Sequence, residues 1–257
     1  MNLKFFLNKL KIKKGDKVLV TSNILKILVK SKKKEINFTP NNLIDALKKK
    51  IGKNGTLLIP TYNWDFCKGK TFDYKNTPSQ TGTLGNIALK RKDFMRSFNP
   101  IYSLAVTGKD KKKLCNMKHL NCFGLNSPFG YLIKNKGKNL FIDIPPRPSN
   151  ETRLVGLVFH HVIEQAAKAP YRYLKEFKGY YINKKKIKKL VKIKLFVTKF
   201  NYKVYIRKNI DSELKRKKLL NKILFNGIKF SSVNIYQAFK ILTNDLKTKR
   251  KFFIKKY

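Results

Sequence analysis

The sequence predicts an α/β fold: one large domain with a mixed, largely parallel central sheet flanked by helices, plus a C-terminal strand pair and helices. Three observations carry this expectation. "GDKVLVTSN" (15–23) reads as a buried strand running into a polar turn. "TPNNLIDALKKKIGKNGTLLIPTY" (39–62) reads as a helix followed by a second apolar strand. A helix between two apolar strands points to neighbouring strands joined by a crossover. With 257 residues, 42% of them hydrophobic, the chain can also bury a sizeable core.

Each element has a local reason. "MNLKFFLNKLKIKKGDK" at the start is apolar but interrupted by lysines, and no small-residue cleavage site follows. It reads as an amphipathic first helix rather than a signal peptide. Thr39 suits a helix N-cap, Pro40 the first helical position, and Leu43, Ala46 and Leu47 an apolar stripe that Gly52 ends. Residues 62–82 form a long aromatic and polar loop, and loops of that length inside a compact domain are usually functional. "LGNIALKR" (84–91) reads as a helix, "YSLAVTG" (102–108) and "KNLFIDIP" (138–145) as strands. "LVGLVFHHVIEQAAK" (154–168) is long enough for a helix that Pro170 limits. "KLVKIKLFVTKFNYKVYIRK" (189–208) reads as two strands around Asn201, and two helical stretches follow at 211–225 and 234–247. Residues 1–174 are expected to form the core, and 175–257 a strand-and-helix extension packed on it. No run of apolar residues is long enough for a transmembrane helix. A cytoplasmic location is expected.

The formal charge of +46 invites a nucleic-acid reading, because basic chains bind phosphate backbones by counterion release. The excess runs through both halves and is nearly all lysine, with about eight arginines. Direct base readout favours arginine. Lys, Ile, Asn, Phe and Tyr are abundant together, which matches codons rich in A and T. Weak attraction to anionic surfaces follows from charge alone. Cys67, Cys115 and Cys122 are odd in number and lack C-x-x-C spacing. They read as reduced thiols, neither a disulfide framework nor a zinc site.

"FHHVIEQAAKAPYR" (159–172) holds two of the three histidines. On a helix, His161 and Glu164 lie at i and i+3 on one face, while His160 points about 100° away. Two histidines so arranged do not aim at one centre, and H-H-x-x-E is not the H-E-x-x-H zinc motif. A carboxylate beside an imidazole can fix its tautomer and ready it to take a proton. The same spacing also describes an ordinary helix with a satisfied His–Glu hydrogen bond. Spacing alone leaves both open.

The wider sequence adds a resemblance. "GDKVLVTSN", "LIDALKKKIGKNGTLLIPTYNW" (43–64), "TPSQTGTLGNIALKR" (77–91), "RSFNPIYSLAVTG" (96–108), "GLNSPFGYL" (124–132) and "GLVFHHVIEQAAKAPYR" (156–172) follow one another as in the aminoglycoside 3-N-acetyltransferase family. The chain resembles that family over nearly its whole length. The resemblance implies direct transfer of an acetyl group from acetyl-CoA to a primary amine of an amino sugar or aminoglycoside, without a metal. It implies His161 as general base and Glu164 as the group that holds and polarises it. It implies coenzyme A contacts at Thr21, Ser22, Arg96, Ser97 and Ser103.

Three positions depart from the family pattern. Val158 stands where a threonine is usual, Asn23 closes the Thr21–Ser22 turn in place of a serine, and Asn99 replaces a histidine before Pro100. The proline-rich segment with Arg147 and Arg153 is expected to shape the acceptor pocket. A polycationic acceptor needs carboxylates, and the chain has only 14 acidic residues, with Asp65 and Asp73 in the long loop as candidates. An uncharged or anionic amino sugar, such as a nucleotide-linked one, fits the charge better. The alternative function is a lysine-rich nucleic-acid or anionic-surface binding protein on a catalytically decayed transferase fold.

Overall fold

The computed structural model describes residues 3–33, 38–144, 157–200, 202–205, 214–248 and 253–256. Helix α1 (Leu3–Lys9) buries Phe6 and Leu7 and leaves Lys9 in solvent, the expected amphipathic arrangement. Strand β1 (Lys17–Ser22) follows. Asn23 then accepts from the Leu25 amide at 3.1 Å and starts α2 (Leu25–Lys33). Helix α3 (Pro40–Ile51) begins in a reciprocal capping box: Thr39 accepts from the Asn42 amide, and Asn42 accepts from the Thr39 amide. Strand β2 (Thr56–Pro60) then lies parallel to β1, every residue buried.

The 62–82 loop carries a short 3-10 turn (Asp65–Lys68) and strand β3 (Phe72–Asp73). Helix α4 (Thr83–Lys90), β4 (Met95–Arg96) and β5 (Leu104–Gly108) follow, with β5 antiparallel to both β2 and β4. Helices α5 (Lys111–Asn116) and α6 (Pro128–Lys134) lead into β6 (Lys138–Ile142), which returns to the other edge of β1, again parallel. After α7 (Leu157–Ala166) come a long hairpin, β7 (Arg172–Ile182) with β8 (Lys188–Thr198), and β9 (Tyr202–Tyr205). Strands β10 (Leu220–Phe225) and β11 (Ile228–Asn234) extend the main sheet, with β11 antiparallel to β6. Helix α8 (Ile235–Lys247), capped by the Asn234 side chain, and β12 (Phe253–Lys256), paired with β9, close the chain.

The seven-stranded sheet therefore runs β10-β11-β6-β1-β2-β5-β4. This is the expected α/β fold with a mixed sheet, but the sheet is less parallel than expected: only β6–β1 and β1–β2 pair in parallel, and the four pairings toward the edges are antiparallel. Successive side chains on a strand point to opposite faces. Val18 and Val20 accordingly enter a core with α1–α4, and Leu19 enters a second core with α5–α8. Both faces being covered explains the near-continuous apolar runs of β1 and β2.

Some expectations need correction. Strand β10 occupies Leu220–Phe225, inside the stretch expected to be helical; a helical turn is seen only at 214–216. Asn226 and Gly227 both have positive φ (47° and 68°), which makes the tight turn of a hairpin. Strands do flank Asn201, but β8 pairs with β7 and β9 with β12. The sequence reading also passed over α2, α5, α6 and β7. Arg147, Arg153 and Asn201 lie outside the described residues, as does the Val158 side chain. Among the described residues, no helix is long and apolar enough to cross a membrane.

Gly130 tests how tightly α6 is seated. A Cβ there would lie 1.9 Å from the Leu125 carbonyl oxygen, a backbone atom that cannot rotate away. Gly130→Ala is expected to cost about 1–3 kcal/mol, the usual range for overpacking. A lower urea midpoint would register this loss.

Candidate active site

β1 sends the chain to β2 on one side, and the chain later returns to β6 on the other. In open α/β sheets a crevice forms outside the carboxyl ends of the strands at such a switch point. A cavity of about 500 Å³ lies there. Thr21 and Ser22 from the end of β1, Pro60 from β2 and Phe141 from β6 line it, and Tyr62, Trp64 and Tyr102 add an aromatic wall. The first turn of α4 contributes Leu84 and Gly85. A Cβ on Gly85 would lie 2.4 Å from the Pro60 carbonyl oxygen, so glycine lets α4 approach this closely. Thr21 donates to Asn139 Oδ1 at 3.2 Å.

His161 reaches the same cavity from α7. Its ring stacks on Phe123, with centroids 4.9 Å apart and planes 29° from parallel, and Phe123 in turn contacts Tyr102. His161 Nδ1 lies 3.3 Å from Glu164 Oε2. The carboxylate fixes Nδ1 as the protonated nitrogen and leaves Nε2 with a lone pair. Glu164 is buried, and its side chain is only 4% exposed. Tyr171 donates to Oε1 at 3.2 Å, and Arg172 Nε lies 2.5 Å from Oε2. Burial pushes the Glu164 carboxyl up, but the His161 hydrogen bond and the Arg172 charge outweigh it, so the group titrates below its usual value. Burial, followed by the Glu164 charge, pushes the Tyr171 phenol up. His160 is buried and does not line the cavity.

The structure thus brings Thr21, Ser22 and His161 together at one cavity, with Glu164 behind His161. Arg96, Ser97 and Ser103 are placed elsewhere, in a buried network beneath the loop. Arg96 donates to Ser103 Oγ (3.0 Å) and to the carbonyls of Thr77 (2.5 Å) and Thr61 (3.1 Å), and its guanidinium sits 4.5 Å over the Phe72 ring. Ser103 donates to the Thr61 carbonyl at 2.7 Å, and Ser97 Oγ accepts from the Leu104 amide at 2.9 Å. Burial lowers the Arg96 pKa to about 10. These side chains fasten the 61–77 loop to β5, which seats the aromatic wall.

Asn99 accepts from the amides of Ile101 (3.0 Å) and Tyr102 (2.8 Å), so it shapes the turn that presents Tyr102. The sequence reading missed the aromatic wall and the two partners of Glu164, Tyr171 and Arg172. The pair stands in the quoted "APYR", but only the turn after α7 folds it back onto the carboxylate. Among the described residues no group of three or more His, Cys, Asp or Glu is placed to hold a metal ion.

A chain with this crevice and a histidine–carboxylate pair on its wall has the outline of an acyl-transfer enzyme. It belongs to the aminoglycoside 3-N-acetyltransferase family, whose model it matches over residues 28–247, and is thus an acyltransferase. No curated relative matches it by sequence. Among solved structures, the CoASH-bound binary complex of AAC-IIIb aligns with a TM-score of 0.74 at 18% identity, covering 96% of this chain and 95% of the other. Sisomicin-bound AAC-VIa aligns at 0.72 and 15% identity, covering 96% of each chain. The YokD protein from Bacillus subtilis aligns at 0.69 and 18% identity, covering 94% of this chain and 96% of the other. At these identities the likeness establishes the fold.

Glu164 gives a pH prediction whose sign is fixed. Its folded pKa is depressed, so its contribution to stability is present above the unfolded value of about 4.3 and is lost as pH falls through the folded value. Glu164→Gln leaves Arg172 without its buried counter-charge and should cost about 3–5 kcal/mol at pH 7. Urea midpoints of the two proteins should converge as pH drops below about 4.

Proposed function

We propose that this protein is an acetyl-CoA-dependent N-acetyltransferase in which His161, oriented by Glu164, is the general base. The observation that carries this reading is His161 on the cavity wall with Nδ1 held by a buried, ionised carboxylate. Bound acetyl-CoA supplies a thioester carbonyl, which the acceptor nitrogen attacks while the carbon–sulfur bond breaks. His161 Nε2 takes the proton that nitrogen loses, Glu164 stabilises the resulting imidazolium, and the same proton passes to the departing thiolate.

Direct transfer suits the cysteines. None of them lines the cavity, and burial pushes the Cys67 thiol up to about 11 and Cys115 to about 12, with Cys122 raised as well. Thiols so shifted are poor nucleophiles.

The cavity supports the cofactor assignment. Its volume suits a small ligand, and its walls are mostly apolar, with the Thr21 and Ser22 hydroxyls among a few polar groups. That combination fits a pantetheine arm, whose amides need partners in an apolar slot. The first turn of α4 has no side-chain cap, which leaves amides for a phosphate. AAC-IIIb, of the same fold, binds CoASH. We assign Arg96, Ser97 and Ser103 to bracing the loop rather than to touching coenzyme A.

For the acceptor we infer an uncharged or anionic amino sugar. Among the described residues no carboxylate lines the cavity. Asp65 pairs with Lys70 at 3.0 Å, and Asp73 accepts from the Lys75 and Asn76 amides of its own turn. Both loop candidates are therefore committed, in a chain of net charge +46.

Two measurements test these readings. His161→Ala should keep coenzyme A binding by calorimetry while transfer falls about 10²–10⁴-fold. Wild-type protein that does not bind coenzyme A would overturn the enzyme reading. In a kinetic panel, kcat/KM should be higher for nucleotide-linked amino sugars than for aminoglycosides, and the reverse order would overturn the acceptor assignment alone.

A further inference from the structure

We propose that Arg172 is a positioning residue for the base: it acts through Glu164, holding that carboxylate in place and ionised so that His161 is correctly oriented before each turnover. The inference rests on His161 being the base and extends that reading to a residue that does not line the cavity.

The geometry is specific. One oxygen, Glu164 Oε2, is shared by His161 Nδ1 at 3.3 Å and Arg172 Nε at 2.5 Å. The Arg172 contact is an ion pair without an aligned N–H···O bond. The Arg172 side chain is 9% exposed, and its Nη1 donates to the Phe196 carbonyl on β8 at 3.2 Å, which fixes the guanidinium from behind. The other oxygen, Oε1, accepts from Tyr171. The titratable and charged groups facing Glu164 are thus His161 and His160 on its own helix, and Tyr171 and Arg172 from the start of β7. Tyr102, across the cavity wall, faces Arg172 in turn.

One consequence follows for proton transfer. A buried carboxylate would otherwise hold a proton, and the His161 hydrogen bond together with the permanent Arg172 cation keeps Glu164 ionised. Only an ionised Glu164 can hold His161 Nδ1–H and stabilise the charge that arrives with the acceptor's proton. Lysine replicates this only in part, because it keeps the charge but not the fork that reaches Glu164 and the Phe196 carbonyl at once.

The test is the pH profile of kcat/KM for Arg172→Met and Arg172→Lys, with coenzyme A binding measured alongside. In R172M the acid limb should move to higher pH by about one unit or more, the usual size of a neighbouring charge's effect. Loss of Glu164 ionisation pushes the limb in that direction. R172K should recover part of the shift, and coenzyme A affinity should stay unchanged in both. Should R172M fail to fold, R172Q is neutral and can still donate to the Phe196 carbonyl. An acid limb that stays at its wild-type position, with activity falling only in step with the melting temperature, would show Arg172 to be structural. That result leaves the base assignment standing, whereas an active H161A protein would remove the assignment itself.

Discussion

Strand β1 is hydrogen-bonded in parallel along both edges, and the site depends on that pairing. The register with β2 (Val18 opposite Leu57) and with β6 (Val18 opposite Lys138) ends all three strands at one level. Neither connection can close over the end of β1, because each departs to its own side. The crevice is what remains. Hydroxyls at the end of β1 and the helical turn of α4 then face a space that the topology itself keeps open. Histidine 161 needs only α7 laid across the rim to look into it.

Two buried cations stabilise opposite walls of this space. Arg96 makes its bonds to Ser103 and to three carbonyls of the loop wall, with an aromatic face beneath it. Among the described residues no carboxylate pairs with it directly, and the carbonyls carry the burden of solvating it. Arg172 instead spends its charge on Glu164. The difference fits their positions. The loop wall needs rigidity, which a fork of hydrogen bonds provides. The α7 wall needs a carboxylate that stays ionised out of water, which the His161 hydrogen bond and the Arg172 charge together provide.

The sequence made part of this visible. The β1–α3–β2 unit was legible because its cap, proline and apolar stripe each act within a few residues. His161 and Glu164 were legible as a pair because helical spacing is local. Arg172 was not: it meets Glu164 only after the chain turns at Ala169 and Pro170 and starts a strand. The misread of 211–225 has the same cause in reverse. Leu220, Ile223 and Leu224 satisfy a helical period, but Asn226–Gly227 turns the chain back and β11 pairs with it. Arg96, Ser97 and Ser103 stand out in the sequence only through the family resemblance; that their side chains bond to the loop and to β5 is a tertiary fact which no spacing encodes.

The charge excess can be understood from where the few carboxylates went. Asp16 meets Lys138 at 2.7 Å and ties the start of β1 to β6. Asp93 bridges Arg91 and Lys48 and ties the β4 approach to α3. Asp110 accepts from Thr56 and Tyr131 and joins β2 to α6. Glu164 joins α7 to β7. Each sits at a junction between elements, where an ion pair or charged hydrogen bond fixes geometry as well as energy. What is left over on the surface is lysine, whose individual pairings are worth little. The sum is still a strong positive field, and such a field concentrates anions at a cleft. Coenzyme A carries phosphates, and a nucleotide-linked sugar would carry them too. A polycationic acceptor would have to enter against the field and then find, among the described residues, no carboxylate on the cavity wall.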